Sequence, residues 1–412
     1  MSRRLVITRV DLYDSHPLVC AICEEHRIVE VQGIPEHAPA QILNNIYVAR
    51  VSQVVKNIGA AFVEIEKGRK CFLPLSDVQE PIYVKRMSQK QILSQGDELL
   101  VQIVREAVKT KEPQVSTNLS LPGIYSVVTS GRHRLGVSNK LDHATRTRLK
   151  ETVSEIYDKN LGLIIRTNAA QAEDSVLIDE VVQLQQNMCD LLTYAPHRSL
   201  YSKLYEAEPE YLRILLNQPL EGENSIEQVI TDDPDVYAAI QAYVNAHPQS
   251  SSHQNLQQKL QFYDDPQLEL QKLYSLQVQL LHALQKKVWL KSGANLVIEP
   301  TEALTVIDVN SAKNVKKNQP ESQHLQVNLE AAREIARQIR LRNLSGIIII
   351  DFIDLQTEED RQYLLREMRS LVRPDPVKTE VIDLTKLGLM ELTRQKTRRP
   401  LKEQFALDET CE

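Results

Sequence analysis

The sequence lacks the features of a membrane protein or of a secreted protein. None of its 412 residues belongs to a run that approaches the ~18 consecutive apolar residues of a membrane-spanning helix. The apolar stretch behind Met1 is too short for a signal peptide, and we expect it to form a first β-strand. The cytoplasm is therefore the expected compartment, and a membrane is not an expected partner.

Cysteine is also scarce, which argues against a disulfide framework. The chain has five cysteines, an odd and scattered set: Cys20, Cys23, Cys71, Cys189 and Cys411. Cys20 and Cys23 have the C-x-x-C spacing of a metal or redox motif, but no second pair accompanies them. The apolar alternation of Leu18, Cys20 and Ile22 makes burial in a strand the better of the two interpretations.

Positive charge is not in excess, because the formal net charge is −6. Total charge therefore does not indicate a nucleic-acid-binding protein, but its distribution is uneven. Residues 205–235 are acidic, whereas residues 132–150 and 378–402 are basic. Local basic clusters can bind phosphates on an acidic protein. Solvated helix faces explain any single cluster equally well.

The length and composition are typical of a globular protein with two to four domains. The chain is 42% hydrophobic and 25% charged. Residues 1–35 alternate like strands. Residues 40–122 predict a small barrel of five short strands, at 46–55, 60–65, 70–75, 98–104 and 114–118. Helices are predicted at 142–159 and 173–192 and within 200–285, with strands at 162–166 and 229–231 and a polar surface loop at 247–258.

Residues 286–400 predict alternating strands and helices. The segment 295–310 is strand-like, and 327–342 is helical with its apolar residues on one face. The apolar run 347–353 is typical of a strand covered on both faces. Thr357 then opens a second helix with Asp360 as its capping partner, and 379–384 is another strand. This order implies parallel pairing with right-handed crossovers.

Two aspartates and an asparagine mark the ends of two of these strands. Period two places Asp308 and Asn310 on one face of the first strand, and Asp351 ends the next. Because sites form at the carboxyl ends of parallel strands, the three side chains can converge. Carboxylate and amide oxygens suit Mg²⁺, which can activate water and neutralise a phosphodiester. Alternatively, the aspartates only cap the turns that follow the strands.

Three long segments resemble the catalytic core of the ribonuclease E/G family. They are Glu302-Ala-Leu-Thr-Val-Ile-Asp-Val-Asn-Ser311, Asn328-Leu-Glu-Ala-Ala-Arg-Glu-Ile-Ala-Arg-Gln-Ile-Arg-Leu-Arg342 and Gly346-Ile-Ile-Ile-Ile-Asp-Phe-Ile-Asp354. The match continues in Gly388-Leu-Met-Glu-Leu-Thr-Arg-Gln395, in Leu163-Ile-Ile-Arg-Thr167 and in an S1-like module. The resemblance therefore covers nearly the whole chain.

The resemblance implies an α+β fold of several subdomains. It places a split RNase-H-like subdomain at 1–38 and 200–285, and an inserted S1 (OB) β-barrel at 39–122. It places a sensor subdomain for the RNA 5′ end at 123–199 and a DNase-I-like α/β catalytic subdomain at 286–400. Residues 401–412 would form a truncated or absent zinc-link tail.

The resemblance also implies an endoribonuclease that acts in RNA processing and decay. Such an enzyme hydrolyses single-stranded, A/U-rich RNA with Mg²⁺, or Mn²⁺ as an alternative ion. It leaves 5′-phosphate and 3′-hydroxyl ends, and a 5′-monophosphate stimulates it. Asp308 and Asp351 match the metal-binding aspartates of the family, and Asn310 matches the asparagine that orients the site. These three are the expected catalytic residues.

Further residues match the RNA-binding surfaces of the family. Phe62, Phe72 and Lys111 match RNA contacts of the S1 barrel, where aromatic rings stack unpaired bases; core residues of a small barrel are the competing interpretation of both rings. The expected pocket for a 5′-phosphate is formed by Gly123, Val127, Arg166, Thr167 and Lys378. An arginine fork beside a hydroxyl is a suitable receptor for a monophosphate.

The sequence departs from the family pattern at two places. Where the family has paired arginines near the sensor, this chain has Asn139-Lys140, which weakens the expected basic contact. The Cys-x-x-Cys zinc link between protomers is reduced to Cys411, so zinc is not expected. A homodimer or a higher homo-oligomer remains open. The alternatives to the ribonuclease are a non-catalytic S1-type RNA-binding protein and a metal phosphoesterase acting on DNA or small phosphates.

Overall fold

The structure is a computed structural model of the chain. It describes residues 2–34, 42–89, 92–105, 112–220, 222, 225–246, 251–311, 321–385 and 387–405. These residues belong to two compact units: Met1–Ala38, Ile226–Ala239 and Lys259–Glu412 form the first, and Pro39–Ser225 and Ile240–Gln258 form the second. The finer subdomain boundaries expected from the sequence stay a prediction. Within the described ranges, no helix has the length and apolar character needed to cross a bilayer.

Strands and helices are mixed along the whole chain. The strands are β1 (Arg3–Arg9), β2 (Leu18–Glu24), β3 (Arg27–Ile34), β4 (Ile46–Val55), β5 (Ala60–Glu66), β6 (Arg69–Pro74), β7 (Tyr83–Lys85), β8 (Glu98–Arg105), β9 (Gln114–Ser116), β10 (Ser120–Pro122), β11 (Ser126–Thr129), β12 (Leu135–Val137), β13 (Gly162–Ile165), β14 (Lys203–Tyr205), β15 (Gln228–Thr231), β16 (Leu260–Phe262), β17 (Lys287–Trp289), β18 (Asn295–Pro300), β19 (Leu304–Asn310), β20 (Gly346–Asp351), β21 (Thr379–Leu384) and β22 (Leu389–Arg394). The helices are α1 (His143–Ser154), α2 (Asp174–Tyr194), α3 (Glu210–Leu216), α4 (Pro234–Ala246), α5 (Ser251–Lys259), α6 (Leu270–Leu273), α7 (Leu276–Leu284), α8 (Glu321–Leu341), α9 (Glu358–Val372) and α10 (Leu401–Gln404).

The first unit contains a five-stranded sheet with the order β16-β15-β1-β2-β3. β1, β2 and β3 run antiparallel, whereas β1, β15 and β16 are parallel. Leu5, Val6 and Ile7 of the central strand β1 are fully buried, as expected for a strand covered on both faces. The sheet joins strands from distant parts of the chain.

The C-x-x-C cysteines lie in β2 of this sheet. Cys20 is 2% exposed and Cys23 is fully buried. Burial raises the pKa of the Cys23 thiol to about 12. Because metal binding and nucleophilic attack both require the thiolate, such a thiol is poorly suited to either role. The interpretation of these residues as buried strand cysteines is confirmed.

The second unit contains a closed β-barrel. Five strands follow in the order β4-β5-β6-β9-β8, and β8 pairs back with β4 to close the ring. These are the five strands that the sequence predicts. Two further strands, β7 and β14, flank the barrel. They were not predicted, because three residues are too few to show a periodic pattern.

A four-stranded sheet follows in the second unit, with the order β10-β11-β13-β12. α2 packs along β11 and α1 along β12. Asp142 caps α1 by accepting a hydrogen bond of 3.0 Å from the backbone N–H of Thr145. The prediction that α1 extends to residue 159 was wrong, because Asp158 and Asn160 form a turn. The predicted loop at 247–258 was also wrong in part, since α5 begins at 251; residues 247–250 lie outside the described residues.

A six-stranded sheet completes the first unit, with the order β17-β18-β19-β20-β22-β21. β19 and β20 are parallel, and the other neighbours are antiparallel. The prediction of parallel pairing is confirmed for β19 and β20 and wrong for β21. β22 lies between β20 and β21, which moves β21 to the edge.

One face of this sheet is covered by α8 and α9. Ile348 and Ile350 of β20 are fully buried against these helices. Ile347 projects from the other face and is 49% exposed. The prediction that β20 is covered on both faces was therefore wrong, because α8 and α9 pack on the same side. The predicted cap of α9 is confirmed: Thr357 Oγ1 accepts a hydrogen bond of 3.2 Å from the backbone N–H of Asp360.

A buried ion pair connects β22 to the segment between α9 and β21. Arg394 Nε lies 2.8 Å from Asp375 Oδ2, and the two side chains are 3% and 2% exposed. The same guanidinium donates to Asn343 Oδ1 at 2.7 Å and to the Leu344 carbonyl at 3.0 Å. Arg394 belongs to the basic cluster at 378–402, and its burial removes it from any phosphate-binding surface there.

Removing the anionic partner of this pair should destabilise the first unit strongly. In Asp375→Asn, the buried guanidinium keeps its charge without a counter-ion, and we expect a loss of about 3–5 kcal/mol in the free energy of unfolding. Urea denaturation, followed by far-UV circular dichroism, measures this loss.

Glu380→Gln is the matched control, because it breaks an exposed ion pair with Lys378 in which the side chains are 54% and 68% exposed. We expect that variant to lose less than about 1 kcal/mol. If the two variants lose the same free energy of unfolding, burial does not make the Asp375–Arg394 ion pair more important for stability than the exposed pair.

Candidate functional site

Strand register brings two of the predicted catalytic residues side by side. Asp308 and Asp351 are direct partners in the parallel pairing of β19 and β20. Neighbouring strands lie about 4.8 Å apart, and paired residues project from the same face of the sheet. In β19, Leu304, Val306, Asp308 and Asn310 share the half-buried face, whereas Thr305, Ile307 and Val309 are buried. We call the face that carries Asp308, Asn310 and Asp351 the open face.

Asn310 fixes the orientation of one carboxylate. Its Nδ2 donates a hydrogen bond of 2.7 Å to Asp308 Oδ2. The bond leaves Asp308 Oδ1 without this donor, so that oxygen is available for another interaction. The structure thus brings Asp308, Asn310 and Asp351 together at one end of two strands.

The carboxylates of the open face repel one another. Although Asp351 is exposed, partial desolvation of its carboxyl group raises its pKa, and the negative charges of Asp308 and Asp354 raise it further. Asp354 was not singled out from the sequence; its only signal is its position three residues after Asp351. A cation between these groups would relieve the repulsion.

The donor set fits a hard divalent cation. Mg²⁺ prefers oxygen ligands and usually takes one or two carboxylates, with water and substrate phosphate at its remaining positions. Asp308 and Asp351 can supply these carboxylates. Among the described residues, no group of three or more His, Cys, Asp or Glu side chains is arranged to hold a metal ion. Cys411 lies outside the described residues.

A buried asparagine holds the segment that follows Asp351. Asn328 on α8 is fully buried. Its Nδ2 donates to the Ile353 carbonyl at 2.7 Å, and its Oδ1 accepts from the Ile353 backbone N–H at 3.1 Å. The two bonds fix the backbone between Asp351 and Asp354. Asn328 opens one of the segments that resemble the family, but its role could not be read from the sequence.

The two predicted barrel aromatics lie together outside the barrel core. Phe62 and Phe72 are cross-strand partners in β5 and β6, with ring centroids 6.0 Å apart in an edge-to-face arrangement. Both are half-buried, whereas their strand neighbours Ala61, Val63 and Leu73 are fully buried in the core. The interpretation of the two rings as core residues is therefore wrong. Lys111 lies outside the described residues.

Arg166 contacts one of the other predicted sensor residues, Gly123. Its Nη1 donates to the Gly123 carbonyl at 2.6 Å, and its Nη2 donates to Asn217 Oδ1. Burial lowers the pKa of the guanidinium, and the nearby Glu180 carboxylate opposes this shift. Next to it, the exposed Thr167 hydroxyl lies 3.1 Å from the Ser138 hydroxyl. Arg166 is thus held by two protein acceptors, and the hydroxyl pair belongs to its chain neighbour Thr167 and to Ser138.

Glu180 holds the loop that follows Gly123. Its carboxylate accepts hydrogen bonds from the backbone N–H groups of Ile124, Tyr125 and Ser126, and from the Ser126 hydroxyl. Burial raises the pKa of Glu180, whereas these hydrogen bonds lower it. A Cβ atom at Gly123 would lie 2.5 Å from the Glu180 carboxyl carbon, so only glycine fits there without movement. No sequence signal marked Glu180 or Asn217.

Two other predicted sensor residues are less closely connected. Val127 is half-buried on β11 and pairs with Ile164 of β13. Lys378 belongs to the first unit and forms an exposed ion pair with Glu380 at 2.9 Å. Their places in the sensor pocket stay predictions.

The electrostatic coupling on the open face can be measured without a metal. Asp354→Asn removes one of the two negative charges that raise the pKa of Asp351, so that pKa should fall. A carboxyl ¹³C NMR titration in the presence of a chelator measures the shift. Asp383→Asn on β21 is the control and should leave the pKa of Asp351 in place.

The same coupling affects stability with a defined sign. Because the pKa of Asp351 is raised by folding, its contribution to stability is present below its unfolded pKa and lost as the pH rises through its folded pKa. Asp351→Asn should therefore stabilise the metal-free protein at neutral pH. If the pKa of Asp351 is unchanged in Asp354→Asn, the electrostatic coupling between these two carboxylates is contradicted.

Comparison with known proteins agrees with this architecture. The model of the ribonuclease E/G family matches residues 120–397, and that of the S1 RNA binding domain matches residues 41–118. Ribonuclease G of Escherichia coli is 31% identical over 405 residues, covering 93% of this chain and 80% of that protein. Ribonuclease G of Haemophilus influenzae is 32% identical, covering 95% and 80%. Ribonuclease E of Synechocystis is 29% identical, covering 94% of this chain and 58% of that protein. With more than half of its length matched by one family model, the chain belongs to the ribonuclease E/G family.

Proposed function

We propose that the chain is an endoribonuclease that hydrolyses single-stranded, A/U-rich RNA and acts in RNA processing and decay. Its cofactor is Mg²⁺, with Mn²⁺ as an alternative ion, and its products carry 5′-phosphate and 3′-hydroxyl ends. A 5′-monophosphate on the substrate stimulates cleavage. The relatives named ribonuclease G and ribonuclease E support an activity on RNA.

The observation that carries the proposal is the pairing of Asp308 with Asp351 on the open face. A protein that only binds RNA gains nothing from two carboxylates in one row, because they repel phosphate as well as each other. The two aspartates would hold the cation. When bound, the cation neutralises charge on the phosphodiester and lowers the pKa of the attacking water.

The neighbouring residues position these groups. Asn310 keeps Asp308 in one orientation through its hydrogen bond of 2.7 Å. Asn328 fixes the backbone after Asp351, so that both carboxylates meet the substrate in a defined geometry. The open face thus supplies orientation, and its acidity makes the reaction depend on a cation.

The second unit would hold the RNA strand away from the bond that breaks. Phe62 and Phe72 present a pair of rings outside the barrel core, and each stacked base contributes roughly 1–3 kcal/mol. Lys111 would contact phosphate. Arg166 and Thr167 would receive the 5′-monophosphate, with Gly123 and Val127 of the same unit beside them. Occupation of this pocket would raise the local concentration of the strand at the cleavage site.

Cleavage assays with an active-site variant test the enzyme. A short fluorescein-labelled, A/U-rich RNA should be cut in Mg²⁺ and not in EDTA. Asp351→Asn should reduce the rate at least about 100-fold, because loss of even an outer-sphere partner commonly costs 10–100-fold in a metal site. Gel analysis of the products measures both the rate and the chemistry of the new ends.

Asp383→Asn is the matched control, since Asp383 is an exposed aspartate on the edge strand of the same sheet. It should cut at the rate of the unaltered chain. Cleavage that persists in EDTA would contradict the dependence of the reaction on a metal ion. RNA that is bound but never cut would favour a non-catalytic RNA-binding protein, and equal cutting of a DNA copy would favour a general phosphoesterase.

The sensor is tested with two RNAs that differ only at the 5′ end. The RNA with a 5′-monophosphate should be cut faster than the RNA with a 5′-hydroxyl. Thr167→Val keeps the shape of the side chain but removes its hydroxyl, so the advantage of the monophosphate should fall about tenfold, as expected for one hydrogen bond to a charged group. The rate on the 5′-hydroxyl RNA should not change.

Thr193→Val, at an exposed position on α2, is the control for this substitution. This variant should still cut the 5′-monophosphate RNA faster than the 5′-hydroxyl RNA, by the same factor as the unaltered chain. A ratio of rates that is the same in Thr167→Val and in the unaltered chain would remove Thr167 from the sensor, and equal rates on both RNAs would remove the sensor itself.

A further inference from the structure

The catalytic sheet carries an exposed tryptophan in addition to its carboxylates. Trp289 is the single tryptophan of the chain and lies at the end of the edge strand β17. It is 66% exposed, although tryptophan is usually largely buried. The Lys287 ammonium lies over its ring, 4.3 Å from the ring centroid. Exposure of a large aromatic ring to water is unfavourable, and Trp289 is not part of the core cluster of this sheet. A ligand that covers the ring would remove this unfavourable exposure.

The strand register places both residues on the open face. Lys287 pairs with Val297, which pairs with Asp308. Trp289 pairs with Asn295, which pairs with Asn310. Paired residues project from the same side of a sheet.

Lys287 therefore lies two strands from Asp308, and Trp289 lies two strands from Asn310. At about 4.8 Å per strand, each separation is roughly 10 Å.

Access to this face is open at several points. Asp351 is exposed, Ile347 is 49% exposed and Trp289 is 66% exposed. α8 and α9 pack against the opposite face, through the cluster that contains Ile348 and Ile350. A ligand at the carboxylates can thus extend along the sheet as far as β17 without displacing either helix.

The chemistry of the pair favours a nucleic acid strand. An indole ring stacks on an unpaired base of any sequence, and a lysine ammonium binds phosphate. The carboxylates at the other end of the row repel phosphate, so a basic group nearby offsets part of that repulsion. A separation of 10 Å corresponds to at most about three nucleotides at the ~3.4 Å rise of a stacked strand.

We propose that Trp289 and Lys287 form a subsite for single-stranded RNA beside the bond that is cleaved. Trp289 stacks one base of the substrate within about three nucleotides of the scissile phosphate. Lys287 holds Trp289 in place and contacts a phosphate of the same segment. This inference rests on the proposed ribonuclease function and adds a substrate-positioning site to it.

Because Trp289 is the single tryptophan, its emission reports directly on the subsite. Asp351→Asn, in which cleavage should be at least about 100-fold slower, is titrated with a short A/U-rich RNA, and tryptophan emission is followed together with the anisotropy of a labelled RNA. We expect the emission to be quenched along the same binding curve as the anisotropy. Binding by anisotropy with unchanged emission would overturn the subsite.

Variants then measure the contribution of the ring. Trp289→Ala should weaken binding about tenfold, within the range expected for one stacked base, and Trp289→Phe should recover most of it. Tyr363→Ala is the matched control, because Tyr363 is an aromatic residue 45% exposed on α9, on the other side of the sheet. It should bind as the unaltered chain does.

An RNA with one abasic nucleotide identifies the stacked base. Moving the abasic position through three nucleotides on either side of the cleavage site should reveal one position that weakens binding to the chain with Trp289 but not to Trp289→Ala. Equal effects in both proteins at every position would overturn the proposal.

The outcome remains separable from that of the ribonuclease function. If Trp289→Ala cuts RNA normally, with an unchanged KM, the proposed subsite is wrong and the ribonuclease function stands. If RNA quenches the tryptophan emission but the unaltered chain cuts no RNA, the ribonuclease function is wrong and the open face only binds RNA. Emission that changes with protein concentration alone would show instead that a second copy covers Trp289.

Discussion

The parallel register of β19 and β20 is the constraint on which the site depends. Packing of Ile307, Ile348 and Ile350 against α8 and α9 fixes this register, and the two aspartates follow at the ends of the strands. A slip of one residue would turn Asp308 or Asp351 towards the core, where an unpaired carboxylate is very unfavourable. The apolar face of the sheet therefore determines the polar chemistry of the other face. The core also supplies the free energy that keeps two mutually repelling groups together.

Three kinds of carboxylate in this protein show how surroundings decide function. Asp375 is buried and neutralised by Arg394, so it serves the fold. Glu180 is buried without an ion pair of that kind, and four donor groups of one loop donate hydrogen bonds to it. Asp351 is exposed, and its neighbours Asp308 and Asp354 are negative, which makes it the group most in need of a cation. Of the three kinds, only the last is suited to exchange ligands during turnover.

Much of the fold could be predicted from the sequence, because its signals are local. Alternation in the barrel and in β19, and the apolar stripe of α8, give element type and face directly. The place of β22 between β20 and β21 could not be predicted, because strand order depends on packing between distant segments. Contacts such as Glu180 with the loop at Ile124, or Asn328 with Ile353, join residues whose spacing carries no pattern. The place of Trp289 on the open face could not be predicted either, because β17 has only three residues and shows no periodic pattern.

The central position of β1 has a consequence for synthesis of the chain. Leu5 pairs with Val229, so 224 residues separate the two strands that complete the middle of the five-stranded sheet. At roughly 5–20 residues per second, a ribosome needs about 10–45 s to deliver the second strand. During that interval the antiparallel strands β1 to β3 expose an apolar edge at β1, which is the kind of edge that pairs with foreign strands. The closed barrel, whose strands all lie between residues 46 and 116, can form meanwhile. Nascent chains should thus be most prone to aggregate, and most dependent on chaperones, after the barrel has folded and before β15 emerges.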